Sequence, residues 1–155
     1  MSNLRVFFKY WLVVALWMGL IFSASSDRGS FQRSSRIIAP VIRWIWPSLP
    51  EDQVFEVVYF ARKCAHFVEY AVLALLLWRA LRKPQRGDKR PWSWKTAALA
   101  LAIVVLYAAT DEWHQSIVPS RQASAWDVLL DSSGAFAAIG VLWGYVGWRR
   151  GRRKS

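Results

Sequence analysis

The sequence predicts an all-α, polytopic membrane protein: a four-transmembrane-helix bundle with a short interfacial segment between helices 1 and 2. Three observations carry this. Of the 155 residues, 55% are hydrophobic and eleven are tryptophan. The apolar residues gather in four continuous runs instead of alternating with polar ones, so no strand or hairpin signal competes. The charged residues, with a formal net charge of +11, fall between those runs or at their ends. A soluble domain this apolar is unusual. A basic nucleic-acid binder does not devote so much length to Leu, Ala, Val and Trp, so no nucleic-acid partner is expected. The length suits one domain, 1–155. The single cysteine, Cys64, cannot form an internal disulfide and leaves the redox compartment unread.

Helix 1 is expected over 6–23, around YWLVVALWMGLIF (Tyr10 to Phe22). Arg5, Lys9, this apolar run and the small residues Ser23 and Ser25 also fit a cleavable secretory signal. Its removal would leave the other three helices oriented as before. The interfacial segment lies in Ala24 to Val58 and contains IIAPVIRWIWPSLP, Ile37 to Pro50. Pro40 and Pro47 restrict it to a short helix, and Trp44 and Trp46 suit the headgroup level. It is expected to lie on the outer membrane surface or to lid the bundle, with an ordinary ordered loop as the alternative. Helix 2 is expected over 57–81, with its purest part at AVLALLLW, Ala71 to Trp78. Helix 3 is expected over 94–115 and helix 4 over 125–148. A crossing takes about 20 residues, and each region is close to that length. Gly140 and Gly144 on helix 4 form a small-xxx-small pair, expected to pack inside the bundle, with a homodimer as the alternative use.

Lys and Arg placement sets the orientation. The N-terminus, the loop between helices 2 and 3 and the C-terminus together hold fourteen of the twenty-one Lys and Arg but only one acid, Asp88. Positive charge stays in the cytoplasm, so both termini are expected there, in a bacterial cytoplasmic (inner) membrane.

The run AALALAIVVLYAA, Ala97 to Ala109, is followed directly by TDEWHQ. Thirteen helical residues reach only ~20 Å, short of the ~30 Å hydrocarbon core. Helix 3 must therefore continue through Asp111, Glu112, His114 and Gln115, at outer-leaflet depth. Counting back from Trp78 puts Lys63, His66 and Glu69 in the outer third of helix 2. Counting out from Trp148 puts Asp131 and Asp127 at a similar level, and Ser23 and Ser25 close helix 1 on the same side.

At 100° per residue, Lys63, His66 and Tyr70 share a face, with Glu69 nearby. Asp111, His114 and Gln115 share another, and Asp127 and Asp131 stack at i, i+4. Ionisable groups facing lipid cost roughly 2.5–3.5 kcal/mol each, so they are expected to face one another in an outward-facing polar pocket. The plainer reading is that such charges only hold the bundle together. The number of ionisable groups at one depth favours function.

Three stretches together resemble the VanZ-like family of small bacterial integral membrane proteins: FSASS (Phe22 to Ser26), RKCAHFVEY (Arg62 to Tyr70) and TDEWHQSIVPSRQASAWDVLLDSSGA (Thr110 to Ala135). The likeness covers nearly the whole chain except the middle loop and the basic tail. The family pattern falls on Ser23, Lys63, His66, Glu69, Tyr70, Asp111, Glu112, His114, Gln115, Arg121, Asp127, Asp131 and Gly134. The family's namesake is associated with reduced susceptibility to teicoplanin, a glycopeptide that binds wall precursors outside the membrane. The resemblance thus implies an outward-facing envelope function and assigns no reaction.

The residues themselves suggest binding of, or chemistry on, a phosphate-bearing membrane lipid or lipid-linked precursor. Lys63, Arg62 and Arg121 suit phosphate oxygens. His66 or His114 suits proton transfer, and clustered acids can keep one carboxyl protonated. The candidate catalytic groups are Lys63, His66, Glu69, Asp111, Glu112, His114, Arg121, Asp127 and Asp131. The candidate substrate contacts are Ser23, Arg62, Tyr70, Gln115 and Ser124. No cofactor is assigned, and Asp127 and Asp131 are weak candidates for a hard divalent cation.

SRQASAWDVLLD, Ser120 to Asp131, also matches the Ser-Arg, five residues, His, three residues, Asp spacing of phosphatidic-acid-type membrane phosphatases. Asp127 stands where their nucleophilic histidine would be and their other motifs are missing, so that chemistry does not carry over. The alternatives are a binding protein without turnover, or a small proton-coupled transporter. Against the last, the inner halves of the helices lack polar residues.

Overall fold

The computed structural model describes residues 5, 7–25, 31–84, 88, 90–117 and 124–152. Five α-helices account for most of them, and no strand occurs among the described residues. A π-helical turn, Phe8–Leu12, runs directly into α1, Val13–Ser25. Then come α2 (Phe31–Ile45), α3 (Glu51–Arg82), α4 (Trp94–Ser116) and α5 (Ala125–Gly151). Four stretches are long and apolar enough to cross a membrane: Phe8–Ser25, α3, α4 and α5.

Local signals explain the boundaries. Ser93 caps α4, its hydroxyl accepting from Thr96 N at 3.2 Å. Ser124 caps α5, accepting from Trp126 N at 3.2 Å. These satisfy donors that a helix start leaves without partners. Pro50 precedes α3, with Glu51 and Asp52 in its first turn, where the helix dipole favours negative charge. At the other end Lys83 turns left-handed, φ 47°, and its N–H donates to Arg79 O at 2.9 Å, closing the last turn.

α3 is the central element, packing against α1, α2, α4 and above all α5. Between membrane helices the tails of lipids are as apolar as leucine, so close fit rather than water exclusion drives association. α4 presents Ala97, Ala100, Val104 and Ala108 to the core, all buried, on one stripe of mostly small residues. α3 answers with Tyr70, Leu73, Ala74 and Leu77. Gly134 of α5 meets the Phe67 carbonyl of α3 so closely that any Cβ there would collide with it. The opposite faces carry exposed Leu16, Leu106 and Val141, as lipid-facing surfaces should.

Three expectations need correction. α3 begins at Glu51, two turns before position 57. Its 32 residues span about 48 Å, against a ~30 Å hydrocarbon core, because a helix need not stop where the hydrocarbon does. The extra turns pack Val54 and Val58 on Ile42 of α2. Next, the interfacial helix is short and ends at Ile45, before Pro47, but Pro40 does not bound it, since α2 runs through that residue. Proline removes the bond to the carbonyl four residues back, that of Arg36. Both residues are exposed, so that carbonyl need not be met by protein. Finally, Gly140 and Gly144 do not pack inside the bundle. A Cβ at either would meet nothing within 4 Å. Gly134, one face away, makes the close approach instead.

Candidate functional site

The described polar core lies at one end of the bundle. Every buried polar or charged side chain among the described residues belongs to it: Ser25, Asp111, Glu112, Gln115, Asp131 and Ser132. They come from α1, α4 and α5, and α3 adds Tyr70.

Asp111 is the hub. Its Oδ2 accepts from Ser25 Oγ at 2.6 Å, from Gln115 Nε2 at 3.1 Å and from Tyr70 OH at 3.2 Å. One carboxylate oxygen thus ties α1, α3 and α4 together. Burial of a carboxylate is tolerated only where hydrogen bonds replace its hydration, and Oδ2 has that replacement. Asp111 Oδ1 and Asp131 Oδ1 are also buried but have no hydrogen-bond partner among the described residues. Glu112 turns toward α5, where its Oε2 accepts from Ser124 N at 2.8 Å. That bond ties the end of α4 to the start of α5.

Lys63 of α3 forms an ion pair with Asp127 of α5. Each side chain keeps about a quarter of its surface exposed, 24% and 23%. The Lys63 ammonium also stands 5.2 Å from the centre of the Tyr59 ring. One turn on, His66 Nδ1 lies 3.8 Å from Glu69 Oε2. Lys63, His66, Glu112, Asp127 and Asp131 enclose a space of about 10 Å³, room for about one water molecule. Beside it, between α2 and α3, a larger cavity of about 170 Å³ is lined by Ser34, Arg62, His66 and Glu69. Arg62 donates to Ser34 Oγ there. His66 and its neighbours therefore border two spaces: a tight acidic centre and a roomier cavity with a guanidinium.

The candidates thus divide. Lys63, His66, Glu69, Tyr70, Asp111, Glu112, Gln115, Asp127 and Asp131 come together, with Arg62 on the flank and Ser124 contributing its backbone N–H. Two do not join them. His114 stacks on Phe22, ring centres 4.5 Å apart, on the side of α4 toward α1. Ser23 is exposed, and its hydroxyl donates back to Gly19 O at 2.8 Å. Arg121 lies outside the described residues. Asp127 and Asp131 do not form a metal site with a third ligand: no group of three or more His, Cys, Asp or Glu is so arranged among the described residues.

Ser25 is the contact that the site reading passed over in favour of Ser23. A signal existed. Val14, Ile21 and Ser25 are spaced by seven and four and share one buried stripe, whereas Ser23 is two residues, about 200°, away.

The arrangement has the means to hold an anion at Arg62 and Lys63, to pass a proton through His66, and to keep carboxylates gathered in a tight centre. No curated protein and no solved structure matches the chain significantly. The VanZ/LLP1 family model matches residues 8–147, a span that takes in the first three membrane-crossing stretches, all but the last four residues of α5, the acidic centre and its flanking cavity. With its whole site inside that match, the chain belongs to the VanZ/LLP1 family.

Proposed function

We propose that this VanZ-family membrane protein binds, and acts on, a phosphate-bearing lipid or lipid-linked envelope precursor at the acidic end of its bundle. That end faces outward from the bacterial cytoplasmic membrane, and both termini lie in the cytoplasm. The observation that carries the reading is the meeting of the Lys63–Asp127 pair, His66 and three buried carboxyls beside the Arg62 cavity. Intramembrane ionisable groups are expensive, and those that persist mark sites. Arg62 offers a planar fork for phosphate oxygens and Lys63 a point charge. His66, between the two spaces, suits proton transfer to or from a headgroup oxygen. A changed response to teicoplanin-type glycopeptides is the expected phenotype, because their precursor targets lie on that side.

Orientation rests on the basic end, where Arg79, Arg82, Arg90, Arg149, Arg150 and Arg152 gather. A C-terminal cysteine tag should be shielded from a membrane-impermeant reagent in intact cells. Labelling of that tag would reverse the orientation and with it the outward reading.

A second reading, binding without turnover, is favoured by one observation. Asp127 already neutralises Lys63, which leaves that ammonium holding a carboxylate rather than a substrate. Purified protein incubated with bacterial lipid extract separates the two. New lipid species by mass spectrometry, absent with His66→Ala, support action on the lipid. Saturable retention of unaltered lipid supports binding alone, and neither result would sink both. A through-path for protons is disfavoured, since the described core away from this end is apolar.

A further inference from the structure

The opposite end of the bundle carries a second cavity that the proposed function does not use. It measures about 160 Å³ and lies where α3 ends, where α4 begins and beside the last turns of α5. Among the described residues, Arg82, Arg90, Arg149 and Arg150 line it, with Asp88 as the only acid. Four guanidinium groups against one carboxylate leave an excess of three positive charges around one small space.

The cavity is built, not a chance gathering of side chains. Arg90 Nη2 donates to Arg82 O at 2.9 Å and to Asp88 Oδ2 at 2.7 Å. Arg82 Nη2 donates to Arg90 O at 2.9 Å, and Arg150 Nη2 donates to the same carbonyl. The connection between α3 and α4 is therefore laced to both helix ends. Hydrogen bonds from Arg90 hold the Asp88 carboxyl well below the usual carboxylate range, so Asp88 stays ionised and keeps Arg90 in place. Arg149 is different. Its guanidinium lies 5.7 Å from the centre of the Tyr145 ring, and it makes no hydrogen bond or ion pair among the described residues.

An independent observation points the same way. Trp78 and Trp92 stack in the wall, ring centres 5.6 Å apart and planes 19° apart. Both indole nitrogens are buried without a hydrogen-bond partner among the described residues. An indole N–H is a donor only, and buried donors are nearly always met by an acceptor. Donors thus outnumber acceptors in and behind this wall, surroundings that suit an oxygen-bearing anion.

We propose that this cavity binds the phosphate group of an anionic phospholipid in the leaflet at the basic end. A cavity of about 150 Å³ accommodates a benzene molecule, and a phosphate group is no larger. A lipid is favoured over a soluble phosphate because the wall is also aromatic and apolar, with Val146 and Tyr145 beside the charges. Trp143, Tyr145 and Trp148 around it are half exposed, the exposure expected of rings anchored at a headgroup layer. This site is separate from the acidic end, and either proposal can fail without the other.

The test is native mass spectrometry of the detergent-purified full chain after incubation with phosphatidylglycerol, phosphatidylcholine or inorganic phosphate. Wild type should retain, beyond any lipid held at the acidic end, one phosphatidylglycerol per chain that depends on Arg149 and that phosphatidylcholine does not replace. Arg149→Gln should weaken retention about tenfold, the loss expected for charge-assisted hydrogen bonds to one phosphate. Arg149→Lys should restore part of it, and Lys95→Gln, an exposed charge off the cavity, should change nothing. Because Arg149 makes only a ring contact among the described residues, folding should survive its replacement, which an unchanged melting temperature in detergent verifies. Equal retention by Arg149→Gln and wild type, or equal loss with Lys95→Gln, would overturn the proposal. Arg149-dependent retention of inorganic phosphate without that of phosphatidylglycerol would also overturn it, in favour of a soluble anion.

Discussion

The two ends of this bundle handle charge in opposite ways. At the acidic end the carboxyls sit inside the helix packing, and Asp111 and Asp131 are almost fully buried. At the basic end the guanidinium groups sit on helix termini and a connection, bonded mostly to backbone carbonyls and one acid. The lesson concerns what each charge can be used for. A buried carboxylate must have its partners placed in advance, which makes it specific and intolerant of change. A terminal arginine keeps its charge near water at little expense, and is free to set orientation and meet headgroups.

That contrast can be broken by experiment. The largest effect is expected from Asp111→Ala, which strands the hydroxyls of Ser25 and Tyr70 and the amide of Gln115. Each buried donor left without a partner costs roughly 1–3 kcal/mol, so a loss of ~3 kcal/mol or more in a reversible detergent unfolding titration is expected. A loss under ~1 kcal/mol would remove Asp111 as the hub. Next comes Gly134→Ala, whose methyl must push α5 from the Phe67 carbonyl. Overpacking of this kind costs about 1–3 kcal/mol, whereas the same change at Gly140 should cost nothing and can stabilise by up to about 1 kcal/mol. Equal effects at both glycines would contradict the close α3–α5 approach.

Lys63→Met sharpens the comparison further. With a quarter of each side chain exposed, losing one partner should destabilise by about 1–2 kcal/mol, below the ~3–5 kcal/mol of a fully buried pair. The double change Lys63→Met with Asp127→Leu should recover most of it, and strict additivity would show that the pair is not coupled. The smallest effect belongs to the basic end. Arg150→Gln should stay within ~0.5 kcal/mol in the same titration.

Much of this was legible in the sequence, for reasons that particular residues make plain. Hydrophobic length alone locates the spans, and the collision of AALALAIVVLYAA with TDEWHQ forces acids to membrane depth. Convergence of Lys63, Asp127, Asp131 and Asp111 follows, because no other direction spares them from lipid. What the sequence leaves open is rotation. Asp111, Glu112, His114 and Gln115 occupy a broad arc of α4. The packing of Ala100, Val104 and Ala108 decides that Glu112 turns inward and His114 turns to Phe22. The choice of Ser25 over Ser23 was decided by the same rotation in α1. The reach of α3 back to Glu51 was hidden because 20 residues already satisfy a crossing, and nothing in the apolar count marks where a helix continues into the interface.

That long helix ties the two ends together. One unbroken rod carries Val54 and Val58 under α2, Lys63 to Tyr70 at the acidic centre and Trp78 to Arg82 beside the basic cavity. Without an internal proline or glycine to serve as a joint, α3 can only swing as a lever. A bilayer that grew thinner or thicker would tip it, carrying the residues at its two extremities in opposite directions at once.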